Sequence, residues 1–440
     1  MTGVNYATDP VAIRALVEPD RVHRDAYLSD ELFALEQQRL FARAWLYVGH
    51  RSQVALAGDY ITIDLAGNPV IMIHDQAGVV RVLINRCAHK GAMVLSDRTG
   101  HVDRVLRCPY HSWSYRLDGS LLALPEKQGY EGTRLRECAS SRGLTTIATH
   151  DHRGFIFARI ATEGPSFDDY FGPIVACLDG MVDRSPLGEL QADSAPLRNV
   201  IQCNWKIYLE NINDALHANV THESAAVAAQ LVWSRAPAGT PKPVAFEQLL
   251  PFTSDNAFFA KMGGRIMPNG HSILGTQNSL HSAYSGASDY EQAMEHAYGA
   301  ARAQEILSWS PQNALLYPSI AIKAAPQTMR VIRPLAVDRT LVETWSFRAK
   351  GAPDSLLQRT QLYNRLVFSP MSIVAHDDIH VFETIQRALR TNANPWVSLH
   401  RESVATESSA DVVGSTRDVS GLDEAMMRNQ FRAWVAALTA

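Results

Sequence analysis

Cysteine is scarce in this chain. Five residues of 440 are cysteine (Cys87, Cys108, Cys138, Cys177 and Cys203), an odd number and too few for a disulfide framework, which leaves thiol chemistry or metal ligation as their better use. Long apolar runs are missing as well. No stretch approaches the roughly 18 uncharged apolar residues of a membrane span, and the first 30 residues carry acidic and basic groups where a signal sequence has an apolar core. A cytoplasmic protein without membrane association is expected. Nor does one sign of charge prevail: 41 Lys and Arg stand against 45 Asp and Glu, a formal net charge of -4, so nothing attracts nucleic acid or anionic lipid broadly. The pattern Gly-x-Gly-x-x-Gly is absent, and with it any dinucleotide fingerprint in the chain itself. Internal repeats and low-complexity tracts are absent too.

What is present is an ordinary globular composition, 46% hydrophobic and 20% charged, in a chain long enough for two domains. Leu32, Leu35, Leu40, Phe41 and Ala44 recur at roughly helical spacing after a Ser29-Asp30 start signal, predicting an amphipathic helix from Asp30 to Trp45. From Gly58 to Ala161 short runs such as Tyr60 to Ile63, Val70 to Ile73 and Val79 to Ile84 alternate with turn residues, the texture of a small all-β domain. A Gly-Pro and Asp-rich connector, Gly164 to Gly172, then leads into mixed helical and strand-like segments, including Thr328 to Ile332 and Thr340 to Phe347. The expected class is α+β: a helical segment over 1–44 packing on the larger domain, the all-β domain over 45–160, and an α+β domain with an antiparallel sheet over 161–440. Ser224 to Pro243 and Arg401 to Gly421 read as long loops that could serve as lids, and Asp423 to Leu438 as a closing amphipathic helix.

Two clusters carry chemistry. Cys87-Ala88-His89 and Cys108-Pro109-Tyr110-His111 place two thiols and two imidazoles in two short turns, with 18 residues between His89 and Cys108 that read as a hairpin. Sixteen histidines scattered over 440 positions rarely produce two such pairs by chance. One metal centre pinched by two loops is the better explanation. Two Cys and two His suit a closed zinc site as well, but each half mixes one Cys with one His, and the surroundings, with Gly91, Tyr110, Trp113 and Tyr115, resemble the Rieske [2Fe-2S] motif. That resemblance implies thiolates on one iron and imidazoles on the other.

The second cluster lies in Asn204-Trp205-Lys206 through Glu210-Asn211 and Asp214 to His217, followed by His222. On a helix Asp214 and His217 are neighbours, whereas His217 and His222 lie on different faces, so the backbone must bend before both reach one ion. By itself this could also be a solvated helix end. Taken together, the two clusters resemble the large (α) subunit of the Rieske non-heme iron ring-hydroxylating oxygenases, over about Trp45 to Gln386. The resemblance implies that His217 and His222 bind a mononuclear Fe(II), completed by a distant carboxylate. Phe368-Ser369-Pro370, Asp377-Asp378, Glu383 and Gln386 match the segment supplying it, and their distances along the chain select Asp378 as ligand with Asp377 as the fallback. Those carboxylates could instead be an ordinary helix N-terminal turn.

The resemblance further implies an oxygenase that uses O2 and electrons from NADH or NADPH, delivered by a partner reductase or a ferredoxin. Asp214 becomes the acid joining His217 to His111 of a neighbouring subunit, from which a homotrimer follows, with or without a small β subunit. Phe368 and Asn211 are implied to line the substrate pocket. Arg330, in the strand-like run Met329 to Pro334, resembles the basic residue that relatives acting on aromatic carboxylates place there; strand alternation lets only one of residues 330 and 331, or of 332 and 333, face inward, and either Arg330 or Arg333 could instead be a surface or interface residue. An aromatic acid is the expected substrate and hydroxylation of its ring the expected reaction. Monooxygenation or demethylation of a non-carboxylate substrate uses the same ligands. A pure electron carrier would have no use for the roughly 280 residues after the β domain, and a zinc hydrolase no use for the cluster.

Overall fold

A computed structural model describes residues 5–133, 142–193, 195–277, 279–280, 288–403 and 415–440. Cys138 and positions 404–414 of the expected Arg401 to Gly421 loop lie outside them. The chain forms two compact units, Phe41–Phe167 and Met1–Leu40 with Asp168–Ala440.

The smaller unit is all β. Val80–Ile84, Asn68–His74, Asp59–Leu65 and Thr99–His101 form a four-stranded sheet in that order. Its central hairpin turns at Ala66-Gly67, both with positive φ (50° and 75°), the backbone that a tight two-residue turn requires. Leu121–Ala123, Ser114–Arg116 and Val105–Arg107 make a second sheet, and Ala148–His152, Phe155–Arg159 and Leu46–His50 a third. The hairpin expected between the two Cys/His turns is not formed. Thr99–His101 pairs with Asp59–Leu65 and Val105–Arg107 with Ser114–Arg116, so the segment passes from one sheet to another. Alternation alone does not specify a strand's partner.

The larger unit is built on a nine-stranded antiparallel sheet. Along it run Leu190–Ala192, Arg339–Ala349, Thr328–Ala336, Ile320–Lys323, Asn313–Leu316, Ser272–Leu274, Gly264–Ile266 and Arg417–Val419, with Leu197–Ile201 also pairing Arg339–Ala349. The helices that matter for the site are Trp205–Ile212, His217–Thr221, Glu223–Ser234, Asp354–Val367 and Ile373–Ala388. Three expectations change here. The N-terminal helix is regular only over Asp30–Leu35, capped by Ser29, and widens to a π-helix over Glu36–Phe41. Residues expected as a lid loop from Ser224 instead form the helix Glu223–Ser234, because alanine has the highest helix propensity and Ala225, Ala226 and Ala229 bury one face. At the far end of the Arg401 to Gly421 segment, Arg417–Val419 is a strand on Gly264–Ile266.

The π-helix has a structural consequence. It turns Glu36 into the core, where its carboxylate accepts from Trp205 Nε1 (2.8 Å), Trp434 Nε1 (2.7 Å) and the Lys206 ammonium. One buried carboxylate thus ties the start of helix Trp205–Ile212 to the C-terminal helix Ala425–Thr439. The other fastening is Gln386, whose Oε1 accepts from Asn204 N (2.8 Å) and so joins helix Ile373–Ala388 to the cap of helix Trp205–Ile212.

Candidate active site

In the smaller unit the two Cys/His turns are conformational copies. Gly91 N donates to Cys87 O (3.0 Å) and Ser112 N to Cys108 O (3.1 Å); Cys87 N donates to Ala92 O and Cys108 N to Trp113 O, both at 2.8 Å. Gly91 (φ 79°) and Ser112 (φ 59°) occupy the same left-handed position, four residues after each cysteine. Both sulfurs are buried in the core of the unit, and Tyr115 OH lies 3.0 Å from Cys87 Sγ. His89 stacks flat on Trp113 at 5.0 Å, and the His89 and His111 rings stand 4.6 Å apart. Burial and the facing His111 hold His89 below its ordinary pKa, leaving a nitrogen lone pair free. Cys177 and Cys203 contrast with this pair: burial pushes both thiols up, so they stay protonated as core fillers.

In the larger unit the bend demanded by His217 and His222 is present. Helix Trp205–Ile212 ends at Asn213, whose side chain is held by Ser272 (2.8 Å). His217 opens the short helix His217–Thr221, and His222 sits at the break before Glu223–Ser234. Helix Ile373–Ala388 brings Asp378 against both, in its second turn, where a helix-end carboxylate would not be expected. Ligand-type atoms of His217, His222 and Asp378 all lie within 4.8 Å of one another. Asp378 Oδ1 is 3.4 Å from His222 Nε2 and 3.8 Å from His217 Nε2. Asp377 lies on the other side of the ring, 3.4 Å from His222 Nδ1. Burial lowers His217 to about 4 and also lowers His222, while it raises Asp378 to about 7. Two neutral imidazoles facing a buried carboxyl group, on which burial outweighs the Arg330 charge, form a donor set ready for a divalent ion.

These ligands border a cavity lined mostly by apolar and aromatic side chains with a few polar groups, the make-up of a small-molecule site. Arg330 and Phe368 line it, with the Arg330 guanidinium 4.6 Å over the Phe368 ring. Arg330 donates to Asn313 Oδ1 (2.7 Å) and Tyr208 OH (3.4 Å). Arg333, three residues on, points to the opposite face of the sheet, where Glu343 takes it and Arg198. Asn211 Nδ2 spans His217 Nε2 (3.0 Å) and Asp378 Oδ1 (3.3 Å). Asp214 caps the turn before His217 by accepting from Leu216 N and faces the Arg401 guanidinium at 3.3 Å.

Comparison with known proteins agrees with this geometry. Residues 44–139 match the Rieske [2Fe-2S] domain, and residues 186–440 match the catalytic domain of the ring-hydroxylating alpha subunit, more than half of the chain. The chain belongs to the ring-hydroxylating oxygenase alpha subunits. Its Rieske domain binds a [2Fe-2S] cluster, and the catalytic domain of this family carries a mononuclear iron. One relative, the large subunit of anthranilate 1,2-dioxygenase from Acinetobacter baylyi, is 26% identical over 87% of this chain and 80% of its own. Another, the alpha subunit of an N,N-dimethyl phenylurea N-demethylase from Sphingobium sp., is 25% identical over 96% and 91%. In fold, this alpha subunit resembles naphthalene 1,2-dioxygenase from Rhodococcus sp., with a TM-score of 0.75 and 24% identity over 96% of this chain and 94% of that one. Among its described residues no helix is long and apolar enough to cross a membrane.

Several residues of this site escaped sequence reasoning. Tyr208, Asn313 and Lys323 line the cavity, and Asp377 holds a ring nitrogen of His222. Lys323 left a signal, a lone charge inside the apolar run Ile320-Ala321-Ile322-Lys323-Ala324-Ala325. Glu210, raised to about 8 by burial and accepting from Tyr27 OH (2.9 Å), gave none beyond its place in the motif.

Proposed function

We propose that this alpha subunit is the terminal oxygenase component that hydroxylates an aromatic acid, drawing electrons from NADH or NADPH through a partner reductase, with or without a ferredoxin. One observation carries the reading. The convergent atoms of His217, His222 and Asp378 border the same cavity in which Arg330 is buried against Phe368 with neutral acceptors only. In this assignment Cys87, His89, Cys108 and His111 hold the cluster, and His217, His222 and Asp378 hold the ferrous ion. When bound, the cluster relays single electrons and the ferrous ion supplies open positions for dioxygen.

The chain's own residues do the rest. Asp377 accepts from His222 Nδ1 and fixes the ring so that Nε2 points at the ion, which favours Asp378 over Asp377 as ligand. Phe368 and Tyr208 exclude water and give a planar ring its walls. Arg330 pairs with the carboxylate of the substrate and thereby sets which ring edge faces the ion. Asn211 orients His217 and Asp378 from the side. Asp214 is assigned as the acid between His217 and His111 of a neighbouring subunit in a trimer, with Arg401 holding its carboxylate in place. A neutral substrate, as in demethylation of an uncharged amide, would leave the Arg330 charge unanswered.

The test is Arg330→Met, assayed on benzoate and on benzamide. Truncating one partner of a buried charge pair costs about 2–5 kcal/mol, so turnover of the acid should fall roughly 30-fold or more. Turnover of the amide should not fall with it. Equal effects on the two compounds would remove the aromatic-acid reading.

A further inference from the structure

The same cavity holds a second buried basic group for which the proposed reaction has no use. Lys323 is 5% exposed and Arg330 4%. Ala321 pairs directly with Arg330 across neighbouring strands, and Lys323 lies two residues beyond Ala321, so the two basic groups are diagonal neighbours on one sheet face. The Lys323 ammonium meets the ring of Tyr363 at 5.8 Å. Among the described residues no carboxylate is near enough to affect it; burial pushes its pKa well down, and the Arg330 charge pushes the same way. Arg330 is only partly satisfied, since its two contacts are neutral and its Nε has no partner.

Lys206 shows how this fold treats a buried lysine that is structural. It is as deeply buried as Lys323, and Glu36 neutralises it. Among the described residues Lys323 has no such acid. A methionine would pack against Tyr363 equally well without burying a polar amine, so packing does not explain a lysine here. Of the two carboxylates that line the cavity, Asp378 belongs to the iron site and Asp214 faces Arg401. A monoanionic substrate on Arg330 would leave the Lys323 amine with no anion to hold its proton, whereas a dianion would answer both basic groups.

We propose that the cavity takes an aromatic substrate with two acidic groups, of the benzenedicarboxylate class, Arg330 holding one carboxylate and Lys323 the other. The proposal rests on the aromatic-acid reading above and adds the second charge to it. Lys323 is then a specificity-determining residue, with the aromatic walls of Phe368 and Tyr208 gripping the ring between the two carboxylates.

The experiment is equilibrium binding by calorimetry on the iron-loaded, cluster-containing protein under anaerobic conditions, with benzamide, benzoate and the three benzenedicarboxylate isomers as probes. In the wild type at least one dicarboxylate should bind tenfold or more tightly than benzoate, and benzoate more tightly than benzamide. In Lys323→Met the ratio of dicarboxylate to benzoate affinity should collapse to near one, and Lys323→Gln should reproduce the collapse with a polar side chain of similar length. Because a buried amine that must shed its proton on folding is removed, Lys323→Met should also melt at a higher temperature than the wild type. The proposal is overturned if no dicarboxylate outbinds benzoate, if the ratio survives in both variants, or if Lys323→Met melts several degrees lower, as a structural lysine would require. In each of those cases a wild-type preference for benzoate over benzamide keeps the aromatic-acid reading intact. Equal binding of benzamide and benzoate would instead remove that reading and this proposal together.

Discussion

Replacing Glu36 by glutamine should unhinge the helix that leads into the iron site. Glu36, Lys206, Trp205 and Trp434 are all buried, and the carboxylate serves three donors at once. In Glu36→Gln the amide keeps one acceptor oxygen and loses the charge, so Lys206 is left as an uncompensated ammonium in the core. Breaking a buried pair in this way costs about 3–5 kcal/mol. An upper bound comes from Lys206 itself, which can shed its proton. Starting from an ordinary value of 10.5, deprotonation at pH 7 costs at most about 4.8 kcal/mol at 1.36 kcal/mol per unit. The two figures agree. The sign of the pH dependence follows: Lys206 is neutral in the folded variant and protonated in its unfolded chain, so below the unfolded pKa the unfolded state binds one more proton and stability rises with pH. The deficit against the wild type should therefore shrink by about 1.4 kcal/mol per pH unit between pH 7 and 10. Urea unfolding followed by circular dichroism at pH 7, 8 and 9 measures it, with transition midpoints compared because two units need not unfold together. A deficit below about 1 kcal/mol at pH 7, or one that does not change with pH, would refute the reasoning.

Alanine at His217, His222 or Asp378 should remove one iron per chain and abolish turnover while the visible absorption of the cluster persists; metal analysis and spectra decide, and loss of cluster colour would put the sites in the wrong units. Asp214→Asn should keep all iron yet slow oxidation of the reduced cluster severely in stopped-flow absorbance, while the part-exposed contact to Arg401 is worth no more than about 1 kcal/mol of stability; a rate near wild type would make Asp214 a simple turn residue. Ser112→Gly should stabilise the second cluster turn by up to about 1 kcal/mol, and Gly91→Ala should destabilise the first by a similar amount, because both positions have positive φ. Thermal melts of the two variants shifting in the same direction would contradict the equivalence of the turns.

Local patterns account for what was readable in advance. The Cys/His turns are legible because a metal centre needs specific ligand types at short spacing, and the spacing is the chemistry. The strands around Tyr60, Val70, Thr328 and Thr340 are legible because short runs of β-branched and apolar residues favour a pleated, buried strand. The helix Glu223–Ser234 was misread although its alanines favour it, since the Pro-rich stretch that follows suggested a single loop. The π-helical turn at Glu36–Phe41 has no local signature. It exists because Glu36 must reach donors 169 and 398 residues away in sequence.

The same division runs through the site. The sequence by itself determined which residues could bind metal and the class of chemistry they serve. Tertiary structure decided the rest. Strand register sent Arg330 to the cavity and Arg333 to Glu343, and helix Ile373–Ala388, fastened through Gln386, brought Asp378 rather than Asp377 onto the Nε2 side of His222. It also placed Lys323 beside Arg330 with no acid among the described residues to pair it. Ligand type is a property of single side chains and survives in the one-dimensional order. Which charges meet, and which are left without a counter-charge, depends on distances and burial that only the folded chain possesses.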